Sequence, residues 1–468
     1  MRIAHINVVP NLSTGRIAAS ICRLAIHSGH GALLCYSRYT PPSDIPTYRI
    51  GGRLNTLSHL VMTRLTDRAG FFSHAATKKL IRQLEKYKPD LIHLHNLHGY
   101  YLNLPMLFDY LKTTGIPVVW TLHDCWAYTG HCAYYATAKA DRHLSFDELK
   151  SGGNFACTRW RKGCHHCPQK RQYPSTWLID ASAANWKAKR ELFSGLEHMV
   201  LVTPSEWLRQ EVEKSFLNRY AVYTFPNGLD LQQFQPCGNE DYLRVVLHAY
   251  HLDQIQNRKL IVSAASVWEE RKGLDDLVVL ADELGRDYCI LAVGLDENQI
   301  QALPQDTIMG FPRTDSIAEL CALYTVADLY LSTSSEETMG MTLLEALACG
   351  TQVLCYKATA MPEIVTEEVG ETVPLWDISA LADAARRLCD NPKSPENCRK
   401  RAMDYEANQC YGAYIRLYEK IEAAQPPTRP YTRKTLWERL SWQCKQKRRG
   451  NPKKSQAQKD GSSQKVDG

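Results

Sequence analysis

Two glutamates, Glu337 and Glu345, stand eight positions apart in the stretch SSEETMGMTLLEALACG, with Gly340 between them. The apolar positions Leu343, Leu344, Ala346 and Leu347 mark the buried face of a helix that begins near Met341 or Thr342. The free N–H groups and dipole at such a helix start favour an anion such as a phosphate. A glycine at Gly340 lets backbone approach a ligand closely. A carboxylate accepts from two vicinal hydroxyls at once, as a ribose diol or a sugar ring presents them. Together these groups fit a phosphorylated sugar. Spacing alone fits an ordinary loop-to-helix entry with solvated glutamates equally well.

A departing diphosphate develops negative charge and needs cations to hold it. Arg271 and Lys272 in RKG, and Arg16 beside Gly15 in the first loop, are the candidates; each also reads as a surface cation. No Asp-x-Asp pair occurs in the chain, so a metal-held pyrophosphate is not expected. His123 and Asp124 follow the apolar run PVVWTL. A histidine at a strand's carboxyl end can hydrogen-bond a sugar hydroxyl or the reacting region. In HLHNLHG, His93, His95 and His98 flank Asn96 at another strand end. Asn96 and His98 are acceptor-side candidates, although crowded histidines also cap and pack. In CTRWRKGCHHCPQ, Cys164 and Cys167 form C-x-x-C, Cys157 lies seven positions earlier, and Cys132 stands in HDCWAYTGHC. Four thiolates of this kind can close a structural zinc site, with His131, His165 and His166 as replacement ligands. Packed free thiols and disulfides are the alternatives.

These residues need a scaffold. IAHINVV, ALLCYS, DLIHLH, PVVWTLH and HMVLVTPS read as strands with helices between them, the first being STGRIAASICRLAIHSG. A second set begins near Lys259 with LIVSAAS and continues through YCILAVG, LYLST and QVLCY. Alternation of this kind predicts parallel sheets covered on both faces. The chain therefore reads as α/β, two Rossmann-like doubly wound domains facing a central cleft where ligands bind at strand ends. The expected bounds are an N-terminal acceptor-side domain over 1–226 and a nucleotide-sugar-binding domain over 227–404, joined at FPNGLDLQQFQP. A Cys-, Trp- and Tyr-rich insertion covers about 127–185, and a long helical pattern after Pro395 runs to about Ala424, its part over 405–425 returning to the first domain.

The tail 426–468 carries twelve Lys or Arg against three Asp or Glu, more than the whole net charge of +6. Basicity thus belongs to the tail, and nucleic-acid binding by the folded body is not expected. Leu436, Trp437, Leu440 and Trp442 beside the basic run Lys445 to Arg449 fit peripheral contact with an anionic membrane. No stretch is apolar for the roughly 18 residues of a membrane span. The apolar run Ile3 to Val9 is too short for an export signal and is broken by Pro10. Most of the 16 cysteines are expected as reduced thiols in a cytoplasm.

ETMGMTLLEALACG resembles the signature E-x-F-G-x-x-x-x-E-A-x-A-x-G of the retaining glycosyltransferases of family 4, which have the GT-B fold; Met339 stands where Phe is usual. The resemblance extends to PNGLD, RKG, YTVADLYLSTSSE and MPEIV. It implies that Glu337 contacts the donor sugar and that Glu345 holds the nucleotide ribose; Lys272 stands at the family's K-G position, and it joins Gly340 and Met341 at the helix start as a donor-binding candidate. Retention, without a catalytic metal or other cofactor, is implied as well. The family's usual Arg is here Val267, which leaves Arg271 or Arg16 as its substitute. NLSTGRIA, HLHNLHGYYLN and VVWTLHDCWAYTGHCAYY are similar to a bacterial subgroup associated with colanic acid and other surface polysaccharides. Expected partners are a nucleotide diphosphate sugar and a glycan or lipid-linked acceptor. A sugar-nucleotide epimerase or a phosphorylase uses the same two domains. The glutamate pair argues against both, and nothing resembles a pyridoxal-phosphate lysine site.

Overall fold

The computed structural model describes residues 1–136, 157–255, 257–304 and 307–424. The basic tail, with its expected membrane contact, and residues 137–156 of the Cys-rich stretch lie outside the described residues.

Seven strands form the first sheet: β1 Arg2–Ile6, β2 Gly31–Tyr36, β3 Thr47–Arg49, β4 Leu91–Leu94, β5 Val118–Thr121, β6 Met199–Thr203 and β7 Val222–Thr224. All pair in parallel, in the order β3-β2-β1-β4-β5-β6-β7. The second sheet holds β8 Lys259–Ala264, β9 Tyr288–Val293, β10 Ile308–Phe311, β11 Leu329–Ser332, β12 Val353–Tyr356 and β13 Gly370–Val373. It too is parallel, in the order β10-β9-β8-β11-β12-β13. The central strands are apolar without alternation because helices cover both faces; every residue of β4, β5, β11 and β12 is buried. Helix α1, Thr14–His27, turns Ala18, Ile21, Cys22 and Ala25 onto the first sheet.

Winding reverses between β1 and β4 in one sheet and between β8 and β11 in the other. Loops leaving the two strands diverge there and open a crevice at their carboxyl ends. Gly15 and Arg16 follow β1, and His95 and Asn96 follow β4. Lys272 follows β8, and Glu337 follows β11. Both sheets lie within one compact unit, Met1–Glu419.

One expectation changes. The long helical pattern after Pro395 is two helices, Pro395–Met403 and Ala407–Ala423. The break lets the chain run beside the inter-domain link, where Leu229 donates to Tyr405 O at 2.8 Å and accepts from Ala407 N at 3.0 Å. The described part of the Cys-rich stretch packs into a core. Tyr128, Tyr135 and Trp160 join the N-terminal core with Trp126, all fully buried. Aromatic area supplies the burial that strands would otherwise give.

Candidate active site

The loop after β11 carries Glu337 against the loop after β8. Lys272 forms an ion pair with the Glu337 carboxylate, and Arg271 Nη1 lies 3.4 Å from the same oxygen. Burial works against the charge on Glu337, but Lys272 and Arg271 outweigh it and hold the carboxyl below its ordinary range. Thr359 fixes the loop by accepting from Glu337 N at 2.9 Å and donating to Glu337 O at 2.8 Å. Arg271 also lies over the Tyr134 ring, 4.0 Å from its centroid, so a residue of the first domain covers the pair.

Helix Met341–Ala348 begins at Gly340, whose φ of 94° is left-handed. A Cβ there would meet Leu343 Cδ1 at 3.2 Å and Ile364 Cδ1 at 3.5 Å, so the turn requires glycine for its backbone before any ligand does. Met341 opens the first turn, and Glu345 lies one turn further on. Burial raises the Glu345 carboxyl to about 7, and Arg16 and Lys272 only partly offset it. Arg16 is exposed on the opposing domain, at the start of α1. Its neighbour Gly15 packs against the first loop, where a Cβ would come within 2.6 Å of Val9 O.

On the facing domain, imidazoles form a chain. His5 Nδ1 lies 3.2 Å from His95 Nε2, and His95 Nδ1 lies 3.0 Å from His123 Nε2. Burial pushes His5 down to about 3 and His123 to about 4, and His95 well below its usual value, so all three are neutral near pH 7. His93 bonds Tyr418 and Thr121 with its two nitrogens, at 2.6 and 2.8 Å. Asp124 is occupied differently from its neighbour: Oδ2 meets His98 Nε2 at 2.7 Å and Oδ1 accepts from Trp126 N at 2.9 Å. His98 in turn bonds the Tyr173 hydroxyl at 2.8 Å. The Asn96 backbone is held by the Asn7 side chain at 3.2 Å and by the Tyr101 hydroxyl at 2.7 Å. Thr338, next to Glu337, donates to His123 O at 3.0 Å and joins the two halves of the site.

The motif reading missed Glu336. This buried carboxylate accepts from Tyr135 N at 3.1 Å and Ala136 N at 2.7 Å across the cleft. Its neighbour Glu337 drew the chemical reading, and a second acidic residue in a loop carries no signal of burial. Beside it opens a cavity of about 600 Å³, walled by Tyr134, Tyr173 and Trp376, with Arg271, Glu336 and Lys170 at its polar edge.

Cys132, Cys157, Cys164 and Cys167 all line one small cavity with His131 and His165. Gly130 N donates to Cys164 Sγ at 3.1 Å, and His131 is held by Asp67 at 2.5 Å. Among the described residues, the three-residue group whose possible ligand atoms all lie within 4.8 Å of one another is His5, His93 and His95. The 15 described cysteines are free thiols.

Residues 15–233 match the family model described as Glycosyltransferase Family 4, and residues 253–404 match the model Glycosyl transferases group 1. The two models fall on the two sheets in turn. The chain belongs to the GT-B glycosyltransferases. This glycosyltransferase is 23% identical over 393 residues to the putative colanic acid biosynthesis glycosyl transferase WcaC of Escherichia coli, covering 79% of this chain and 85% of that one. The sucrose-phosphate synthase of Thermosynechococcus elongatus superposes with a TM-score of 0.63 at 17% identity, over 91% of this chain and all of the other. Anabaena HepE, solved in complex with UDP-glucose, gives a TM-score of 0.57 at 14% identity, over 90% of this chain and all of its own. The glycosyltransferase thus shares its architecture with these enzymes, and among its described residues no helix is long and apolar enough to cross a membrane.

Proposed function

We propose that this glycosyltransferase moves a hexose from a nucleotide diphosphate sugar to a glycan or lipid-linked acceptor in surface polysaccharide assembly, with retention and without a catalytic metal. The observation that carries the reading is the convergence of Glu337, Lys272, Arg271 and Glu345 at the β8/β11 switch point, opposite Arg16. Glu345 takes the ribose diol and Glu337 the donor sugar. Glu337 is one anion that Lys272 and Arg271 hold, and the diphosphate supplies a second. The acceptor oxygen bonds to the anomeric carbon on the face from which the phosphate oxygen leaves, and the acceptor proton passes to that phosphate. Such a route asks the protein for positioning and charge stabilisation. His123 meets a donor hydroxyl, and Asp124 acts by orienting His98. Asn96, His98 and the Tyr173 wall face the acceptor. Similarity to WcaC supports the polysaccharide setting, and the HepE complex supports a nucleotide sugar as donor.

The four cysteines line one cavity and one sulfur accepts a backbone N–H, and a structural zinc there would have to draw the thiols closer together than they stand. Its role would be to brace the segment that carries Tyr173. The setting we infer is the cytoplasm, at the inner membrane face where a lipid-linked acceptor is met.

Thermal shift against a panel of nucleotide sugars tests the donor. A ligand at about 100 times its Kd stabilises by ~2.7 kcal/mol. The cognate donor should protect the parent and leave the double variant Glu337→Ala, Glu345→Ala unprotected. Full transfer by that double variant would refute the assignment.

A further inference from the structure

Helix α2, Arg53–Thr66, is built inside out. It buries His59 and Thr63 and leaves Leu54, Leu57, Val61 and Leu65 exposed, with Leu54 at 83% and Leu57 at 56%. At 100° per residue these four side chains fall within a single stripe opposite the buried pair. His59 needs no further partner, since its nitrogens meet Ser73 Oγ at 2.7 Å and Gly70 N at 3.1 Å. The His59 ring is therefore satisfied within the protein, and the apolar side is left to the outside.

A second apolar element adjoins the first. Trp177 N and Thr176 Oγ1 both donate to Arg64 O, at 2.8 and 3.1 Å, which fixes the tip Trp177–Leu178–Ile179 at the carboxyl end of α2. These three side chains are 65%, 72% and 50% exposed. Large apolar groups gathered this way on a protein surface mark an interaction site. Charge selects the partner: residues 53–66 and 157–179 carry seven Lys or Arg and no Asp or Glu. Apolar anchors in a mostly cationic surround, with Asp67 and Asp180 just beyond the two spans, match an anionic lipid interface, where Trp and Leu enter the headgroup boundary and Arg and Lys meet phosphates.

We propose that the α2 stripe and the Trp177–Ile179 tip form one docking surface for an anionic bilayer. The surface belongs to the folded N-terminal domain and shares no residue with the basic tail. The segment that bears the tip also bears Tyr173, bonded to His98 at 2.8 Å on the acceptor side, so docking brings the cleft to the headgroup plane. This deepens the lipid-linked-acceptor reading and rests on it for its purpose, though not for the binding itself.

The test is co-sedimentation of the full chain with phosphatidylcholine vesicles, with and without roughly 30 mol % phosphatidylglycerol. Parent, Trp177→Ser/Leu178→Ser/Ile179→Ser and Leu54→Ser/Leu57→Ser are compared, each also with residues 426–468 removed. Expected is binding to the anionic vesicles only, weakened on the order of tenfold by either set of substitutions in both tail backgrounds. Charge reversal by Arg53→Glu/Arg64→Glu should weaken it too. Retained donor-induced thermal shift shows that the variants are folded. Equal vesicle binding by parent and variants overturns the proposal. So does loss of self-association in the variants with no vesicle binding by the parent, which would make a second copy the occupant. The vesicles contain no acceptor, so failed transfer would sink the functional reading and leave this result standing.

Discussion

His95 lies between His5 and His123, at 3.2 and 3.0 Å, so one line of shared protons runs from the interior to the cleft. His5 Nε2 is buried without a partner. A bare ring nitrogen there costs less than an orphaned N–H. His5 Nδ1 therefore donates to His95 Nε2, and His95 Nδ1 donates to His123 Nε2. His123 is left with its proton on Nδ1, and in the function proposed above that N–H would meet a sugar hydroxyl. His95 is thus a positioning residue. His95→Phe should lower kcat by about 10- to 100-fold while the donor thermal shift persists. His95→Gln, which can pass on one of the two bonds, should recover part of the rate. Equal rates for parent and His95→Phe would show that the chain only packs.

With the Glu345 carboxyl raised to about 7 by burial, the proposed donor binding should depend on pH. A ribose diol donates to the ionised form, so donor affinity should fall as pH drops through about 7. Stability carries the opposite sign. Between the ordinary 4.5 and about 7 the folded carboxyl keeps a proton that the unfolded one has lost, so its contribution declines as pH rises through that window. The difference in Tm between parent and Glu345→Gln, followed across this range, should narrow and then invert. Calorimetry with and without the nucleotide reads both effects.

Glu336→Ala removes the acceptor of two N–H groups, the buried one of Tyr135 and the part-buried one of Ala136. A loss of about 1–3 kcal/mol is expected, seen in urea unfolding. Because the bonds cross the cleft, the variant should also expose the Tyr134 segment to protease before global unfolding.

Elemental analysis of protein prepared without chelator or polyhistidine tag should find about one zinc per chain, the content of a single closed four-ligand site. Cys164→Ser with Cys167→Ser should abolish it and lower Tm. Metal-free protein of unchanged Tm would leave the four as packed thiols.

How far the sequence disclosed this molecule depended on burial. The inner strands β1, β4, β5, β8, β11 and β12 announce themselves because both faces are covered and the apolar run is unbroken. The four strands that the pattern did not reveal, β3, β7, β10 and β13, are the four sheet edges, three or four residues long and only partly buried. Glu337, Glu345, Lys272 and His123 were visible because strand ends and a helix start frame them. Glu336 was not, since acceptance of two N–H groups from residues some 200 positions away leaves no local trace. The inverted face of α2 was hidden for a related reason: its leucines have helical spacing, and spacing does not say which side is covered.

The hydroxyls of Tyr418 and Tyr414 bond His93 and Thr121, across 325 and 293 positions of sequence. Helix Ala407–Ala423 thereby closes a sheet whose own strands end at Thr224. During synthesis, the side of β4 and β5 that these tyrosines cover must wait until the whole second domain has emerged. At 5–20 residues per second, the interval from His93 to Tyr418 is roughly 15–65 s. Through that time the nascent first domain presents an open seam, and chaperone occupancy should be greatest on ribosome-bound chains truncated between the last strand and residue 407.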